Sequence, residues 1–128
     1  MQTEILTLQN IPPANLERIK AERKKRLLRF EPTLLAEGLS PKEAREIIKE
    51  LWENPELCQA FCRLSKIAAT KGKKTGAMMI LNVIRWEIEI VKNGDFKVNN
   101  NLAPYLGRYF EFCYPQFSGF FEKRRVGS

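Results

Sequence analysis

The stretch SPKEAREIIKELWENPELCQAFCRLSKIAATKG, residues 40–72, decides the fold class of this chain. It opens on Ser40 followed by Pro41, and Glu43 stands three residues after the serine. A serine with a glutamate three positions on forms a capping box, and proline suits the first position of a helix. The pattern therefore predicts a helix that begins at Pro41.

A second helix start lies within the same stretch. Asn54 is predicted to cap it, Pro55 takes its first position, and Gly72 ends it. The apolar face of this helix has helical spacing and consists of Leu57, Phe61, Leu64 and Ala68. The middle of the chain is therefore predicted to be helical.

A helix is also predicted before this stretch, from about Ala14 to Phe30. Apolar residues and Arg23 share one stripe of it, and most of the basic segment ERKKR falls on the opposite face. Pro32 and Gly38 are expected to break this helix, because proline lacks a backbone N–H donor.

The segment AMMILNVIRWEIEIVKNGDF, residues 77–96, fits two structures. Its apolar residues recur at helical spacing, but in its second half apolar and charged residues alternate as in a strand. The alternation runs into Asn93-Gly94, the strongest short signal for a β-hairpin. We favour a helix from about Thr75 to Val91, because the first apolar run is too long for a half-buried strand. A hairpin near 86–98 stays the alternative.

A last helix is predicted to begin near Asn101 or Leu102 and to end at Tyr114-Pro115, since the residue before a proline is pushed out of helical geometry. The predicted fold class is therefore mostly α. It is a compact bundle of about five helices with a helix-turn-helix-like carboxy-terminal half, and the small β-hairpin is the open variant.

The length of 128 residues favours a single domain over 1–128. Within it we expect an extended amino-terminal segment over 1–13 and a helical region over 14–70. A carboxy-terminal region with a basic tail is expected over 75–125.

The chain is basic, with a formal net charge of +7 and a pI near 9.5. The charge is uneven: residues 31–56 hold three basic and seven acidic side chains, whereas residues 57–76 hold five basic and none that are acidic. Basicity favours a polyanionic partner such as nucleic acid. An acidic segment between basic ones also suggests that part of this charge is matched within the chain.

The amino terminus lacks a signal-peptide pattern, and no apolar run approaches the length of a membrane span. The three cysteines, Cys58, Cys62 and Cys113, do not form a disulfide framework. We therefore expect a cytoplasmic protein with reduced thiols and no membrane partner.

The sequence contains no histidine, which removes the commonest general base and the commonest metal ligand. Cys58 and Cys62 lie four residues apart, and small buried side chains on a core-facing helix explain them better than a zinc site does. The glycine-bounded GKKTG, residues 72–76, lacks the Walker spacing of a phosphate loop. We expect no catalytic residues, no metal and no cofactor, and hence not an enzyme.

The carboxy-terminal half resembles a family of small, functionally uncharacterised bacterial and phage proteins. The family signature is I-R-W, then D-F-K-[IV]-N-N-N, then P-x-F-x-G-F-F-x-x-R, and the resemblance covers about residues 61–125. The matching positions in this chain are Ile84, Arg85, Trp86, Asp95 to Asn101, Tyr105, Arg108, Pro115, Phe117, Gly119 to Phe121 and Arg124. The occurrence of such proteins in phages and mobile elements implies two roles, handling DNA or blocking a host protein.

The first functional hypothesis is a small, non-catalytic protein that binds DNA or RNA. The consecutive asparagines at 99–101 sit where a second helix begins, and asparagine reads adenine through two hydrogen bonds. One asparagine is expected to cap that helix instead. The predicted nucleic-acid contacts are Arg85, Lys97, Asn99, Asn100, Asn101, Arg108, Lys71, Lys73 and Lys74.

The second hypothesis is a protein-binding module, such as a phage-borne inhibitor or adaptor of a host nucleic-acid or defence enzyme. Aromatic residues are dense in the carboxy-terminal segment, and aromatics often anchor interfaces. Core packing is the ordinary role of most of them. Phe120 and Phe121 near the terminus suggest a homodimer through this aromatic segment.

Overall fold

The computed structural model describes residues 13–121, and for residues 13 and 14 it describes the backbone alone. Five α-helices run through this part of the chain. They are α1 Pro13–Ala36, α2 Pro41–Glu53, α3 Pro55–Thr70, α4 Ala77–Trp86 and α5 Ala103–Cys113. A π-helical turn, Glu87–Val91, prolongs α4, and short 3₁₀ turns flank α5 at Asn100–Leu102 and Pro115–Phe117. The predicted mostly α fold class is confirmed.

The chain divides into two compact units, whose described parts are residues 13–55 and 56–121. The single domain over 1–128 stays a prediction. Of the predicted extended segment over 1–13, all but Pro13 lies outside the described residues, as does the basic tail at Lys123, Arg124 and Arg125.

In the first unit, α1 packs against α2. The buried apolar side chains of this unit are Leu27, Phe30, Leu34, Leu39, Ala44 and Leu51. Arg23 on α1 also reaches the end of α2: its Nη1 donates to the Trp52 carbonyl at 3.1 Å and its Nη2 donates to the Leu51 carbonyl. The guanidinium lies 5.0 Å from the centre of the Trp52 ring. A cation is therefore placed where the carbonyls of α2 lack helical partners.

The predicted capping box of α2 is present. The Ser40 hydroxyl accepts a hydrogen bond from the Glu43 N–H at 3.1 Å, and the Glu43 carboxylate accepts one from the Ser40 N–H at 2.9 Å. Donation from the Ser40 N–H is the larger cause, and the Ser40 hydroxyl beside the carboxylate the smaller one, of a pKa of Glu43 that is lowered below its ordinary value. Two otherwise unpaired N–H groups at the helix start are thereby satisfied.

The prediction that Pro32 ends the first helix was wrong, because α1 continues through it to Ala36. Proline leaves the carbonyl four residues earlier without its helical partner, and in this helix that residue, Leu28, lies on the solvent side and not in the core. Gly38 ends the helix, with φ 105°, while the Leu39 N–H donates to the Leu34 carbonyl at 3.3 Å. This is a Schellman cap, which needs a positive φ at the glycine.

In the second unit, α4 packs against α5. The centre of this unit is Phe110, which is fully buried on α5. Its ring lies 5.8 Å from Phe121 and 5.9 Å from Phe117, and Phe121 in turn lies 5.8 Å from Phe61 on α3. The buried Glu111 carboxylate accepts the Gly119 and Phe121 N–H groups at 2.9 and 3.0 Å. The carboxy-terminal aromatic segment is thus folded back onto α5.

The favoured helix after residue 74 is confirmed, and residues 13–121 contain no strand, so the alternative hairpin near 86–98 is not formed. Asn93 has φ 54° and follows the π-helical turn, and the Gly94 N–H donates to the Ile88 carbonyl at 2.7 Å. The Asn-Gly pair therefore ends a helix. Many helix ends and the tightest hairpin turns use a residue with positive φ, and asparagine serves either.

Candidate nucleic-acid interface

The three asparagines form the entry to α5, and the first of them is a cap. Asn99 has an extended backbone, φ −70° and ψ 133°, and its side-chain oxygen accepts the Asn101 N–H at 2.8 Å. Its carbonyl accepts the Leu102 N–H at 3.0 Å. The side chain of Asn99 is therefore used by its own turn, as asparagine commonly is before a helix.

Asn100 is held by the end of α4. The Arg85 Nη2 donates to the Asn100 Oδ1, the Arg85 Nη1 donates to the Asn82 Oδ1 at 2.7 Å, and the guanidinium lies 5.0 Å from the centre of the Phe96 ring. Arginine thus joins α4 to the asparagine turn. Of the three asparagine side chains only that of Asn101, which is exposed, makes no hydrogen bond within the described residues.

Two other predicted contacts lie in different surroundings. Lys97 is exposed and its Nζ lies 3.4 Å from the Asp95 carboxylate, so this cation has an acidic neighbour. Arg108 is only 5% exposed, and its Nη1 donates to the Pro104 carbonyl within α5 at 3.0 Å. A phosphate in solvent would reach Lys97 but not the interior position of Arg108.

The three predicted lysines lie beside the end of α3. Gly72, with φ 66°, closes this helix as the Lys73 N–H donates to the Ala68 carbonyl at 2.9 Å. Lys74 lies against the carboxy-terminal segment: its Nζ donates to the Phe120 carbonyl at 3.2 Å and lies 5.6 Å from the Phe120 ring centre. Lys71 and Lys73 are exposed and form no ion pair with a described residue.

The structure therefore brings Arg85, Asn99 and Asn100 together and engages all three internally. Asn82 and Phe96 also contact Arg85, and neither was among the predicted contacts. Asn82 stands three residues before Arg85 on a helix, a spacing at which side chains meet, so this contact could have been found from the sequence. Whether the predicted set contacts nucleic acid stays a prediction.

A more continuous basic surface lies on α1. Arg18, Lys25 and Arg29 are spaced seven and four residues apart, so they share the face opposite the buried Leu27 and Phe30. All three are exposed, and none forms an ion pair with the rest of the described chain. We call these three residues the cationic stripe. Lys20 and Lys24 are also exposed but lie on other sides of α1, and one acid, Glu22, lies within the stripe.

The outward face of α4 is of a different kind and was not predicted from the sequence. Met79, Val83, Trp86 and Ile90 are all exposed and are spaced four, three and four residues apart. We call them the apolar stripe. The signal was present in the sequence, since these four residues recur at helical spacing on the side away from Leu81 and Ile84, and a single core contact needs only one apolar face.

No protein-family model matches this chain, and no curated protein or solved structure is significantly similar to it. The resemblance to the uncharacterised bacterial and phage family stays a prediction. None of the helices in residues 13–121 has the length and apolar character needed to cross a bilayer. Within the same residues no three histidine, cysteine, aspartate or glutamate side chains are grouped to hold a metal ion.

Proposed function

We propose that this chain is a small, cytoplasmic, non-catalytic protein that binds DNA or RNA through phosphate contacts. The observation that carries the proposal is the cationic stripe on α1, whose members are exposed and lack acidic partners among the described residues. Unpaired lysine and arginine side chains along one face are the electrostatic footprint of nucleic-acid binding.

The dimensions of α1 suit a polyanionic strand. The cationic stripe runs from Arg18 to Arg29, about 17 Å along the helix at 1.5 Å per residue, and the phosphates of one DNA strand recur about every 3.4 Å. Several phosphates therefore fall within reach of the stripe. Such contacts give affinity that depends steeply on salt and carries little sequence information.

The test is binding of a fluorescent 20-nucleotide duplex and the matching single strand, measured by anisotropy at increasing KCl. We expect affinity to fall linearly on a log-log plot, by about 0.7–0.9 per neutralised phosphate. The double variant Lys25→Glu/Arg29→Glu is expected to weaken binding and to reduce the salt slope by about two.

The matched control is Lys42→Glu/Lys49→Glu, which makes the same charge change on the exposed face of the acidic helix α2. Both doubles lower the formal net charge by four, from +7 to +3. Equal loss of affinity in the two variants would show a net-charge effect and not a surface, which would overturn the assignment to α1. Undetectable binding of both nucleic acids at low salt would overturn the function itself.

The asparagine turn adds a finer proposal. The exposed amide of Asn101, with the exposed Lys97, is the part of the predicted contact set that faces solvent. We expect Asn101→Ala to change base preference among duplexes of different sequence with little effect on general affinity. An unchanged preference would confine the asparagines to a structural role.

Protein binding is the second candidate function, and the apolar stripe of α4 favours it. Contiguous apolar residues at helical spacing on a surface mark interaction sites more often than isolated ones do. An inhibitor or adaptor from a phage or mobile element, the role that the family resemblance implies, would use such a face against a host enzyme. Pull-down that survives nuclease treatment and is lost in Val83→Lys is the result expected of this function.

A further inference from the structure

The apolar stripe of α4 and the π-helical turn is exposed along its whole length. Met79 is 60% exposed, Val83 43%, Trp86 60% and Ile90 59%. The opposite face of the same helix is buried, with Leu81 and Ile84 fully enclosed and Ile80 at 6%. The helix therefore has one apolar face inside its unit and a second apolar face in water.

The spacing of the stripe is symmetric about its own centre. The intervals of four, three and four residues read the same in both directions, with the midpoint between Ile84 and Arg85. Intervals of three and four are those of a helix–helix seam, in which side chains of one helix fit between those of another. A seam that is symmetric about its centre can pair with itself when the second helix runs in the opposite direction.

We propose that a second copy of this chain covers the apolar stripe, in a two-fold dimer whose α4 helices pack antiparallel. Met79 of each copy then faces Ile90 of the other, and Val83 faces Trp86. The pairing sets a small side chain against a large one at the centre, which fills the seam evenly. A parallel arrangement would instead set Trp86 against Trp86 and Val83 against Val83.

Charge favours the same orientation. Lys71 and Lys73 are exposed just before α4 with no acid beside them in the sequence, whereas its last turn carries Glu87 and Glu89 and is followed by Lys92. The helix dipole adds negative character at that end. Antiparallel packing places the lysines before α4 of one copy beside the two glutamates of the other, a contact that a two-fold interface repeats twice.

The π-helical turn widens the end of this face. The Lys92 N–H donates to the Glu87 carbonyl at 3.0 Å, five residues back, so one extra residue enters the last turn. Ile90 and Val91 are both outward as a result, at 59% and 61% exposure. The 15 residues from Ala77 to Val91 span about 22 Å, so the seam is short and the dimer is expected to be reversible.

The inference rests on the second candidate function, protein binding, and names its partner as a second copy. It uses none of the residues of the cationic stripe. The two proposals therefore fail separately: oligomeric state tests the dimer, and the anisotropy series tests nucleic-acid binding.

The first measurement is sedimentation equilibrium of the full chain between about 5 µM and 500 µM. The expected mass rises with concentration from 14.9 kDa toward twice that value. Val83→Lys is expected to hold the chain at the monomer mass. The matched control is Ile67→Lys, because Ile67 is an apolar residue on α3 that is 49% exposed and lies off the stripe.

Circular dichroism of both variants establishes that they fold. A wild-type chain that stays monomeric at the highest concentration would overturn the inference and leave the stripe to a foreign partner. A dimer that survives Val83→Lys would also overturn it, and would point to another surface of the chain.

The second measurement tests orientation by mixing two variants, Val83→Lys and Trp86→Glu. Each alone is expected to be monomeric, and the equimolar mixture is expected to dimerise. In the antiparallel pair, the new lysine of one copy faces the new glutamate of the other, while the remaining valine and tryptophan face each other. A mixture that stays monomeric while the wild-type chain dimerises would overturn the antiparallel arrangement.

Discussion

Helices α1 and α4 are alike on their inner faces, which are apolar and buried, and differ on their outer faces. Each buries a stripe of apolar residues, with Phe30 fully enclosed on α1 and Ile84 fully enclosed on α4. Outward, α1 shows the cationic stripe and α4 shows the apolar stripe. The inner faces thus describe how the two units fold, and the outer faces are where they differ in what they can bind.

The difference also separates stability from function within each helix. Burial of an inner residue contributes to folding in proportion to the apolar area it removes from water. An outer residue makes few contacts in the isolated chain, so its side chain is available to contact a partner. Paired substitutions on the two faces of one helix should therefore separate the two properties.

The largest effect is expected on the inner face of α4. Ile84→Ala removes buried methyl groups and is expected to lower the free energy of unfolding by about 2–5 kcal/mol. Val83→Ala, one residue away on the apolar stripe, is expected to change it by less than about 0.5 kcal/mol at concentrations where the chain is monomeric. Urea unfolding followed by circular dichroism measures both. Equal losses would mean that the stripe is not an outer face.

On α1 the expected difference lies between Arg23 and Lys25. Arg23→Ala removes two hydrogen bonds to the last carbonyls of α2 and is expected to cost about 2 kcal/mol, since bonds from a charged donor are stronger than neutral ones. Lys25→Ala is expected to leave thermal stability unchanged and to weaken nucleic-acid binding. A destabilised Lys25→Ala with intact binding would reverse the assignment of the two faces.

The two helices also end at residues with different positive φ angles, and alanine substitutions at these two residues are expected to differ in their effect on stability. Gly38 after α1 has φ 105° and Asn93 after α4 has φ 54°. Alanine is disfavoured at positive φ by about 1–2 kcal/mol, and Gly38→Ala is expected to show that loss in urea unfolding. Asn93→Ala is expected to lose less, because its φ lies in the left-handed helical region, while Asn93→Gly is expected to be neutral or slightly stabilising. A larger loss at Asn93 than at Gly38 would contradict this account of the caps.

The parts of the fold that follow from local chemistry could be predicted from the sequence. Some residues favour a helix boundary by their own chemistry, and the structure has boundaries at the predicted ones: Ser40 with Glu43, Pro55 and Gly72. Pro32 misled the prediction because its cost depends on whether water reaches the released carbonyl, which is a property of the folded surface. Asn93-Gly94 left two structures open because a helix cap and a hairpin turn can both use a positive φ at the asparagine.

The candidate site was less predictable, because its bonds join distant residues. The sequence predicts that one of the three asparagines caps a helix, but not that Arg85, fifteen residues away, holds the second. Arg108 has helical spacing and a positive charge like any surface arginine, and only packing shows that it is buried. Interactions of this kind follow from tertiary placement, which residue type and spacing do not specify.

The smallest effect is expected among the asparagines themselves, at the point where the end of α4 meets α5. Asn99→Ala removes the bond to the Asn101 N–H and is expected to cost about 1 kcal/mol, whereas Asn99→Ser retains an acceptor and is expected to recover most of it. Asn101→Ala removes an exposed amide and is expected to leave stability unchanged. Thermal unfolding of the three variants measures the order. If Asn101→Ala were the more destabilising change, the cap would lie at a different asparagine, and the residue that faces solvent for a partner would change with it.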